Sequence, residues 1–419
     1  MNIVVENFSC IKFAELKISK INILIGPQAS GKSVISKLIY FFYSLKDLHS
    51  DQISQEKNLE DFSLSIKEKF VEWFPIAAWG DDKFKITFLS GKFKITISRV
   101  IYKGDLGENL RINLSDNIKT IHSELVGSAK IINQEIEMND EIYAQIQIQR
   151  KFSSEIQRKY IDIFGVEYID RVTYIPAGRS FFTNLGRALM AFERGNMLDP
   201  VTIEFGRIYS GFIQGNSSLF RSLKRENNSS KFISEIIGGD ILREKNDYYI
   251  STDDRRKVPF SSLSSGQQEL LPLMLTFGLL NRYKNSSSLL FIEEPEAHLF
   301  PNAQSKIIEG FASYLNEDKG RKLFITTHSP YVLSKINNLL KAGVIEKTTR
   351  DVKKISLLDS LVTKHKRIYP NEIQAYCIEN GRISSIIDDD TSLINAEYLD
   401  EISNKIGGEF DELLNIQYS

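Results

Sequence analysis

The chain has 419 residues, of which 26% are charged, and a formal net charge of −1. A chain of this length buries a large core and forms about two to three domain-sized units. The near-zero net charge provides no global attraction to nucleic acid or to an anionic membrane. Its only cysteines, Cys10 and Cys377, are far apart in sequence, which argues against a disulfide framework. The start lacks a signal-peptide pattern and no apolar window approaches 18 residues, so we expect a cytoplasmic protein without a membrane partner.

The first 33 residues predict short strands that lead into a glycine-rich loop. Apolar residues indicate strands at 3–6, 15–18 and 22–25, and a helix is expected from Ser33 to about Leu48. Between them, residues 26–33 read Gly-Pro-Gln-Ala-Ser-Gly-Lys-Ser, a complete Gly-x-x-x-x-Gly-Lys-Ser phosphate loop. A buried strand before the loop and a helix after it are the context in which this motif binds phosphate.

The chemistry of this loop predicts a nucleoside triphosphate as its ligand. Successive backbone N–H groups and a helix N-terminus point at one anion, and Lys32 can reach the β- and γ-phosphates. Ser33 is predicted to place its hydroxyl on Mg²⁺. The predicted nucleotide-binding residues of the loop are Gly26, Gln28, Ala29, Ser30, Gly31, Lys32 and Ser33.

The middle of the chain predicts a hairpin and a helical insertion. A polar stretch at 49–69 is helical or loose, and strict alternation over 84–100 predicts a β-hairpin. From about 106 to 164 the pattern turns helical, without the sustained heptads of a long coiled coil. A short strand is expected at 172–175.

Helices, a loop and a second hairpin are predicted after that strand. Helices are expected at 180–194 and 200–214, and the polar residues 227–230 indicate a loop. A second hairpin is predicted over 238–257, with its turn near Asn246-Asp247.

A second anion-binding element is predicted at residues 263–269, which read Leu-Ser-Ser-Gly-Gln-Gln-Glu before a helix at 270–283. A serine can cap that helix, and Gly266 lets backbone N–H groups approach a phosphate. The predicted phosphate-binding residues are Ser264, Ser265, Gly266 and Gln267. A plain helix cap, with serine followed by glutamine near the third position, explains the same residues.

Two adjacent carboxylates follow the apolar run 288–292. A buried strand that presents acids at its carboxyl end is where an α/β ATPase holds its metal ion. Glu293 is predicted to hold Mg²⁺ through water, and Glu294 to orient or deprotonate the attacking water. The alternative is an acid pair that simply closes a surface strand.

Another strand, at 322–328, ends in His328, one strand–helix–strand step after Glu294. An imidazole at that edge could hydrogen-bond a γ-phosphate or the attacking water. Further strands are predicted at 352–358, 373–378 and 382–387. Asn380-Gly381 forms a hairpin turn between the last two, and a helical tail is expected at 392–416.

In this order, the phosphate loop, the signature 263–268, the acid strand and His328 resemble the ABC-type ATPases. The opening Glu-Asn-Phe-Ser-Cys-Ile-Lys at 6–12 and the stretch 294–301 are similar to one branch, the Rad50/SMC/OLD-like prokaryotic ATPases. That branch includes the ATPase subunits of the Septu and PARIS phage-defence systems. The resemblance covers essentially residues 1–340, and the tail from about 370 is similar to the C-terminal part of stand-alone members.

The resemblance implies an α/β fold: an ABC-type P-loop ATPase head with an antiparallel β subdomain and an inserted α-helical subdomain. We expect an N-terminal lobe at 1–104, a helical insertion at 105–235, a C-terminal lobe at 236–345 and a small α+β extension at 346–419.

The resemblance also implies a head-to-tail homodimer, or a higher homo-oligomer, with ATP between Lys32 of one subunit and Ser265/Gly266 of the other. Glu294 would be the base and His328 would contact the γ-phosphate. Residues 295–299 would signal across the interface. Arg179 is the polar group expected to enter the site from its region.

Two departures from the family pattern stand in the predicted site. Glu293 replaces the aspartate usual in transporters, which leaves a longer arm toward the metal. Gln28 replaces the asparagine of many relatives, a milder change within the phosphate loop.

The leading functional hypothesis is an ATP-hydrolysing switch with Mg²⁺ that controls a separate effector, a nuclease or toxin, in anti-phage defence. A DNA-repair clamp ATPase and a low-turnover nucleotide-binding scaffold stay open. A transporter subunit is disfavoured by the stretch 294–298. An OLD-type nuclease would need more than Asp388-Asp389-Asp390, for which an acidic loop is the simpler explanation.

Nucleic-acid binding also stays open at this stage. The dense basic clusters are 255–257 and 364–367, and short clusters of this kind are more often solvated surface than binding sites.

Overall fold

The computed structural model describes residues 1–101, 107, 109–139, 141–185, 198–214, 228–244, 247–280, 286–395, 407–414 and 416–417. The chain divides into two compact units. The first unit comprises Met1–Ile18, Gln28–Val172 and Ile378–Ile383. The second unit comprises Ser19–Pro27, Thr173–Cys377 and Ser384–Ser419.

Strands and helices alternate along most of the chain. The strands are β1 (Asn2–Phe8), β2 (Ile11–Lys17), β3 (Ile21–Ile25), β4 (Lys85–Ser90), β5 (Phe93–Arg99), β6 (Leu110–Leu114), β7 (Arg171–Ile175), β8 (Asp240–Glu244), β9 (Asp247–Ser251), β10 (Lys257–Pro259), β11 (Ser288–Glu293), β12 (Arg321–Thr326), β13 (Ile373–Glu379) and β14 (Arg382–Ser385). The helices are α1 (Lys32–Ser54), α2 (Leu59–Trp73), α3 (Asp116–Glu137), α4 (Ile142–Phe164), α5 (Ser180–Leu185), α6 (Pro200–Gln214), α7 (Asn228–Ile237), α8 (Ser265–Leu280), α9 (Pro301–Glu317), α10 (Pro330–Thr348) and α11 (Val352–Leu361).

The first unit contains an antiparallel sheet with the strand order β6-β5-β4-β1-β2. The β4–β5 hairpin confirms the alternation at 84–100, and its turn requires glycine. Gly91 has φ +56°, and a Cβ there would lie 2.4 Å from the Ile163 carbonyl oxygen. Buried aromatic rings fill the core of this unit, with Phe8 and Phe84 centroids 4.9 Å apart.

Two long helices of the first unit form an antiparallel pair. Lys159 of α4 bonds Glu124 of α3 at 2.7 Å, and Ser128 lies 3.3 Å from Glu155. The helical prediction for 106–164 is therefore confirmed for α3 and α4. It is wrong at Leu110–Leu114, because β6 forms there by pairing with β5.

The second unit contains a sheet with the strand order β13-β3-β12-β11-β7, in which β13, β3, β12 and β11 pair in parallel. All five residues of β3 and all six of β11 are buried, as continuous apolar runs in a parallel sheet require. Helices α8, α9 and α10 supply much of the apolar core of this unit. A separate small sheet has the order β10-β9-β8. The predicted turn of that hairpin includes Asn246, which is outside the described residues.

The β13–β14 hairpin confirms the predicted turn at Asn380-Gly381, where φ is +51° and +76°. Within the first unit, the Gly381 carbonyl oxygen accepts hydrogen bonds from the backbone N–H groups of Lys12, at 2.7 Å, and Phe13, at 3.1 Å. A Cβ on Gly381 would lie 2.6 Å from the Cys10 carbonyl oxygen, so the turn needs glycine for two reasons.

Three predictions of local structure are wrong or incomplete. Residues 352–358 form the start of helix α11, because the Asp351 side chain caps it by accepting from the N–H groups of Lys353 and Lys354. Helix α7 begins at Asn228, where a loop was predicted. Helix α1 continues to Ser54, beyond the predicted end.

Other predicted helices are only partly described. Residues 180–185 form α5, and 407–414 are helical within the predicted tail. The helical prediction is wrong at residues 392–395, because Ile394 forms an antiparallel bridge with Ile387. The remainder of the predicted helix at 180–194 falls outside the described residues.

Candidate functional site

The glycine-rich loop follows β3 directly and leads into α1, as predicted. The division of the chain into units falls within this loop, after Pro27. Gly31 has φ +105°, and a Cβ there would lie 2.5 Å from Ile11 Cδ1 and 2.8 Å from Cys10 Sγ. The positive φ at position 31 therefore favours glycine, and a larger residue would also require the Ile11 and Cys10 side chains to shift.

The start of α1 fits a phosphate group. No side chain caps the helix, and its first turn contains no acidic residue. The first N–H groups of a helix have no intrahelical acceptor, and its dipole favours an anion there. Ser30 Oγ is buried without a hydrogen-bond partner among the described residues, and the Lys32 side chain is buried at the same turn. Gln28 and Ala29 are exposed, with Ala29 in a left-handed conformation at φ +60°.

The carboxyl ends of three parallel strands lie level with one another in the second unit. Glu293 of β11 pairs in register with Thr326 of β12, and Thr326 pairs with Leu24 of β3. The acid pair, the residues before His328 and the start of the loop at Gly26 therefore share one edge of this sheet. Ligands of open parallel sheets bind at such an edge.

Glu293 is held in place by two donors. The Tyr174 hydroxyl donates to Oε1 at 2.7 Å and the Ala177 N–H donates to Oε2 at 3.1 Å. The residue is 6% exposed. A carboxylate accepts about four hydrogen bonds, so each oxygen keeps one position for a metal-bound water. These lone pairs fit the predicted role, and the pairing of Ser33 with Glu293 around Mg²⁺ stays a prediction.

Glu294 is turned out of the strand by its backbone. Its φ of +43° is left-handed, which a non-glycine residue adopts only when the surroundings hold it there. The turn directs its side chain to a half-exposed position, where Oε1 lies 3.6 Å from His328 Nε2. The structure thus brings together the two side chains predicted to be catalytic.

Glu296 orients the segment that carries His328, and the sequence analysis did not single it out. Its Oε1 accepts the Thr327 hydroxyl and the His328 N–H, both at 2.7 Å. Ser329 caps α10 next to it by accepting the N–H groups of Tyr331 and Val332. The sequence Glu-Pro-Glu offered a signal for Glu296, but its partners lie 31 and 32 residues further along.

Arg179 does not enter the site with its guanidinium, contrary to expectation. The side chain is 1% exposed and donates to the carbonyl oxygens of Pro176, Glu269, Glu293 and Glu294. Burial lowers the pKa of Arg179, and the Glu269 carboxylate beside it acts in the opposite direction. A buried charged group requires hydrogen-bond partners, and the guanidinium finds them in main-chain carbonyl oxygens, including those of the acid pair.

The signature residues begin helix α8. Ser264 and Gln267 form a reciprocal cap: Ser264 N–H and Oγ donate to Gln267 Oε1, and Gln267 N–H approaches Ser264 Oγ at 3.4 Å. The Gln267 amide also donates to the Ile237 carbonyl oxygen at 2.9 Å. The capping alternative is therefore present in the structure. Ser264 and Ser265 remain exposed.

Gly266 lets the loop after the acid pair approach this helix. A Cβ at Gly266 would lie 2.9 Å from the His298 carbonyl oxygen and 3.5 Å from Leu299 Cδ2. His298 itself has φ +59°. The signature and the loop 294–300 are thus in direct contact in the second unit. The predicted phosphate-loop residues Gln28 to Ser33 belong to the first unit.

The basic cluster 364–367 is largely neutralised within the chain. Arg367 is 1% exposed and pairs with Glu346 and Asp359, and Lys366 Nζ lies 2.7 Å from Glu309. Cations that already pair with carboxylates of the same chain attract a phosphate backbone less strongly than unpaired cations do.

Two other surface features have local partners as well. In the cluster 255–257, Arg256 pairs with Asp254 and Lys257 with Glu244. Asp388 accepts the N–H and the hydroxyl of Thr391, which is the local geometry of an acidic loop. Among the described residues no group of three His, Cys, Asp or Glu side chains is placed to hold a metal ion.

Comparison with protein families identifies the chain. The profile described as "AAA domain, putative AbiEii toxin, Type IV TA system" matches residues 21–334, from β3 into α10. The chain belongs to this AAA-domain family. The match begins at the strand before the phosphate loop and ends just after His328. It therefore contains every predicted site residue of this AAA-domain chain.

Solved structures similar to this AAA-domain chain include three SMC head domains. The head from Thermotoga maritima is 15% identical, with 92% of this chain and 97% of that chain covered and a TM-score of 0.36. An SmcHead bound to the C-winged helix domain of ScpA is 12% identical, with 92% and 96% covered and a TM-score of 0.43. The Pyrococcus furiosus Smc head bound to the C-terminal domain of ScpA is 12% identical, with 97% and 98% covered and a TM-score of 0.38. A search of curated proteins found no match.

The predicted fold class is confirmed. The AAA-domain chain has an α/β fold with a phosphate-loop motif after a parallel strand, and with an antiparallel sheet and a helix pair in its first unit. The division into four domains stays a prediction. Among the described residues, no helix has the length and apolar character needed to cross a bilayer.

Proposed function

We propose that this chain is an ATP-driven switch that binds ATP between two copies of itself and hydrolyses it. Water attacks the γ-phosphorus, the bond to the ADP oxygen breaks, and Glu294 accepts the proton of the water. His328 contacts the γ-phosphate or that water. The observation that carries this proposal is the left-handed turn at Glu294, which leaves its carboxylate half exposed 3.6 Å from His328.

The proposed head-to-tail arrangement follows from the signature residues. Ser264 and Ser265 are exposed at the start of α8, where helix N–H groups favour an anion. We propose that they bind the ATP held by Gly26 to Ser33 of a second copy. Mg²⁺, held by Ser33, the phosphates and a Glu293-bound water, would neutralise charge that develops on the phosphates.

The contact between Gly266 and His298 supports a role in signalling. In the proposed dimer, the signature of one copy binds a phosphate while its own loop 294–300 touches the same helix. Nucleotide binding at the signature can therefore change the position of His298, in the loop that follows the acid pair of the same chain.

We propose that the output of the switch is a separate effector, a nuclease or toxin, in anti-phage defence. The family description names a putative AbiEii toxin of a Type IV toxin–antitoxin system, which supports a link to a toxin. Neither basic cluster supports nucleic acid as the direct partner, because both clusters already form ion pairs within the chain. The paired residues are Lys366, Arg367, Arg256 and Lys257. A nuclease or toxin gene beside this one would favour the effector role.

The test is the variant Glu294→Gln, measured by phosphate release and by ATP retention. A general base contributes about 10²- to 10⁴-fold to a rate, so we expect kcat to fall at least 100-fold while ATP remains bound. Because ATP then stays between the copies, dimers should accumulate in ATP and can be counted by mass photometry.

Glu317→Gln is the matched control. Its side chain is 52% exposed at the last residue of α9, near the start of β12 and thus at the opposite end of that strand from Thr326, so hydrolysis should be unchanged. Unchanged hydrolysis in Glu294→Gln would sink the assignment of the base. ATP-bound monomers would sink the shared site.

A further inference from the structure

Arg179 is the most heavily engaged side chain behind the acid pair. Its Nη1 donates to the Glu293 carbonyl oxygen at 2.6 Å and to the Pro176 carbonyl oxygen at 3.0 Å. Its Nη2 donates to the Glu294 carbonyl oxygen at 3.0 Å. One planar guanidinium thus holds both peptide groups of the acid pair, in the fork geometry that only arginine provides.

These bonds lie at the point where the backbone is least favourable. A left-handed non-glycine residue costs about 1–3 kcal/mol and persists only when its surroundings hold it. Glu294 is such a residue, with φ +43°, and its carbonyl oxygen is fixed by Arg179. The Ala297 N–H also donates to this carbonyl, at 3.1 Å. The direction of the Glu294 side chain depends on this turn.

The same arginine is tied to the signature helix. Glu269, one helical turn after Ser265, is 2% exposed, and its carboxylate accepts the N–H groups of Arg179, at 3.1 Å, and Ser180, at 3.2 Å. Arg179 Nε lies 3.5 Å from Glu269 Oε2 and donates to the Glu269 carbonyl oxygen at 3.3 Å. A shift of α8 therefore moves Glu269 and Arg179 together.

We infer that Arg179 and Glu269 form a latch that positions the Glu294 carboxylate and links it to the signature helix. Arg179 is a positioning residue, because it acts on the main chain of Glu294 and touches no reacting atom. When the signature binds the phosphate of a second copy, α8 is fixed, and through Glu269 and Arg179 so is the turn at Glu294. This inference rests on the proposed function for its consequence in hydrolysis, while the contacts themselves do not.

The first test is Arg179→Lys, because an ammonium keeps the charge and loses the fork. Loss of charge-assisted hydrogen bonds to the turn should lower kcat about tenfold to hundredfold. The KM for ATP should stay within about threefold, since ATP binding does not use the Glu294 carboxylate. Glu269→Gln should give the same split, and should serve if the lysine variant does not fold. The double variant should fall no further than the worse single variant, as residues acting through one contact do.

Arg321→Lys is the matched control. Arg321 is also an almost fully buried arginine of the second unit, 2% exposed, and it donates to the Tyr314 carbonyl oxygen at 2.8 Å and stacks over the Tyr314 ring. It begins β12, at the opposite end from Thr326, so its loss should lower stability without changing kcat.

A second readout does not need hydrolysis. Amide hydrogen exchange over residues 292–299 should be faster in Arg179→Lys than in the wild-type chain and unchanged in Arg321→Lys. If the wild-type chain does not hydrolyse ATP but the exchange changes as stated, the proposed function fails and the latch stands. If the chain hydrolyses ATP and Arg179→Lys matches Arg321→Lys in kcat and in exchange, the latch is overturned.

Discussion

Lowering the pH from 8 to 5 should destabilise the first unit through a buried histidine pair, and His49→Gln should remove part of that loss. His49 of α1 is 1% exposed, and its Nε2 lies 3.0 Å from His122 Nδ1 of α3. The Tyr160 hydroxyl of α4 lies 2.8 Å from His49 Nδ1. His122 Nε2 lies 3.0 Å from the Lys57 carbonyl oxygen, which can only accept.

These partners fix a neutral chain of donors. His122 donates from Nε2 to Lys57, so a neutral His122 accepts at Nδ1 from His49. His49 Nδ1 then accepts from the Tyr160 hydroxyl at 2.8 Å, and the single proton of this hydroxyl is shared with the Lys46 carbonyl oxygen 3.1 Å away. The hydrogen bonds from His49 to His122 and from His122 to Lys57 are therefore complete with both imidazoles uncharged.

The magnitude follows from the pKa of His49. Burial, and next the charge of His122, lower this pKa from 6.5 to about 3. Between these values the unfolded chain binds more protons than the folded chain. The contribution of neutral His49 to the free energy of unfolding is therefore fully present above pH 6.5 and is lost as the pH falls toward 3. At pH 5 the loss relative to pH 8 is about 2 kcal/mol. Burial also lowers the pKa of His122, in the same direction.

The assay is urea unfolding at pH 8, 7, 6 and 5, followed by tryptophan fluorescence. Trp73 and Trp79 are the two tryptophans of the chain, and both lie in the first unit, so the signal reports on that unit. His49→Gln should be less stable at pH 8, while its loss between pH 8 and pH 5 should be about 2 kcal/mol smaller than that of the wild-type chain.

His365→Gln, at an exposed histidine of the second unit, should leave the wild-type pH dependence intact. An equal loss between pH 8 and pH 5 in His49→Gln and the wild-type chain would refute the assignment of that loss to His49.

Two further variants test the site in the second unit. Gly266→Ala should lower both hydrolysis and thermal stability, because its Cβ would lie 2.9 Å from the backbone carbonyl oxygen of His298. Gly211→Ala, with nothing within 4 Å of its Cβ, should change neither, and full activity in Gly266→Ala would contradict the role of this contact. Glu296→Ala should lower kcat about tenfold or more, since the His328 N–H loses its charged acceptor, and Glu296→Gln should recover most of it by keeping a carbonyl oxygen. Equal rates for these two variants, measured by phosphate release, would show that this hydrogen bond does not matter.

The sequence predicts the elements whose signal is local. The phosphate loop carries its own glycines, and β11 is an uninterrupted apolar run before two acids. Asn380-Gly381 specifies its turn because both residues accept a positive φ. These features depend on neighbours in the chain, so they can be read before any fold is known.

The features that sequence reasoning missed depend on distant partners. Strand β6 exists because β5 offers an edge, and helix α11 exists because Asp351 caps it while Val352 and Leu361 stay exposed. The strand prediction for residues 352–358 assumed that apolar residues in this segment are buried. Because Val352 and Leu357 are exposed instead, their spacing does not indicate the type of element.

The site was likewise predictable only in part. The acid pair and His328 follow from their strands, but the role of Arg179 depends on Glu269, which lies 90 residues later. An arginine after Tyr-Ile-Pro can point into the site or behind it. The hydrogen bonds of Arg179 to the Glu293 and Glu294 carbonyl oxygens decide between these two orientations, and the sequence does not show where those oxygens lie.

The hairpin tip at Gly381 has a consequence for synthesis on the ribosome. The backbone N–H groups of Lys12 and Phe13 find their acceptor about 370 residues later in the chain. At roughly 5–20 residues per second, the outer edge of β2 waits on the order of 20 to 70 s for this partner. An unpaired strand edge invites association with other chains during that interval. The nascent chain should therefore depend on chaperones until its C-terminal hairpin is made, and a chain truncated before residue 378 should aggregate.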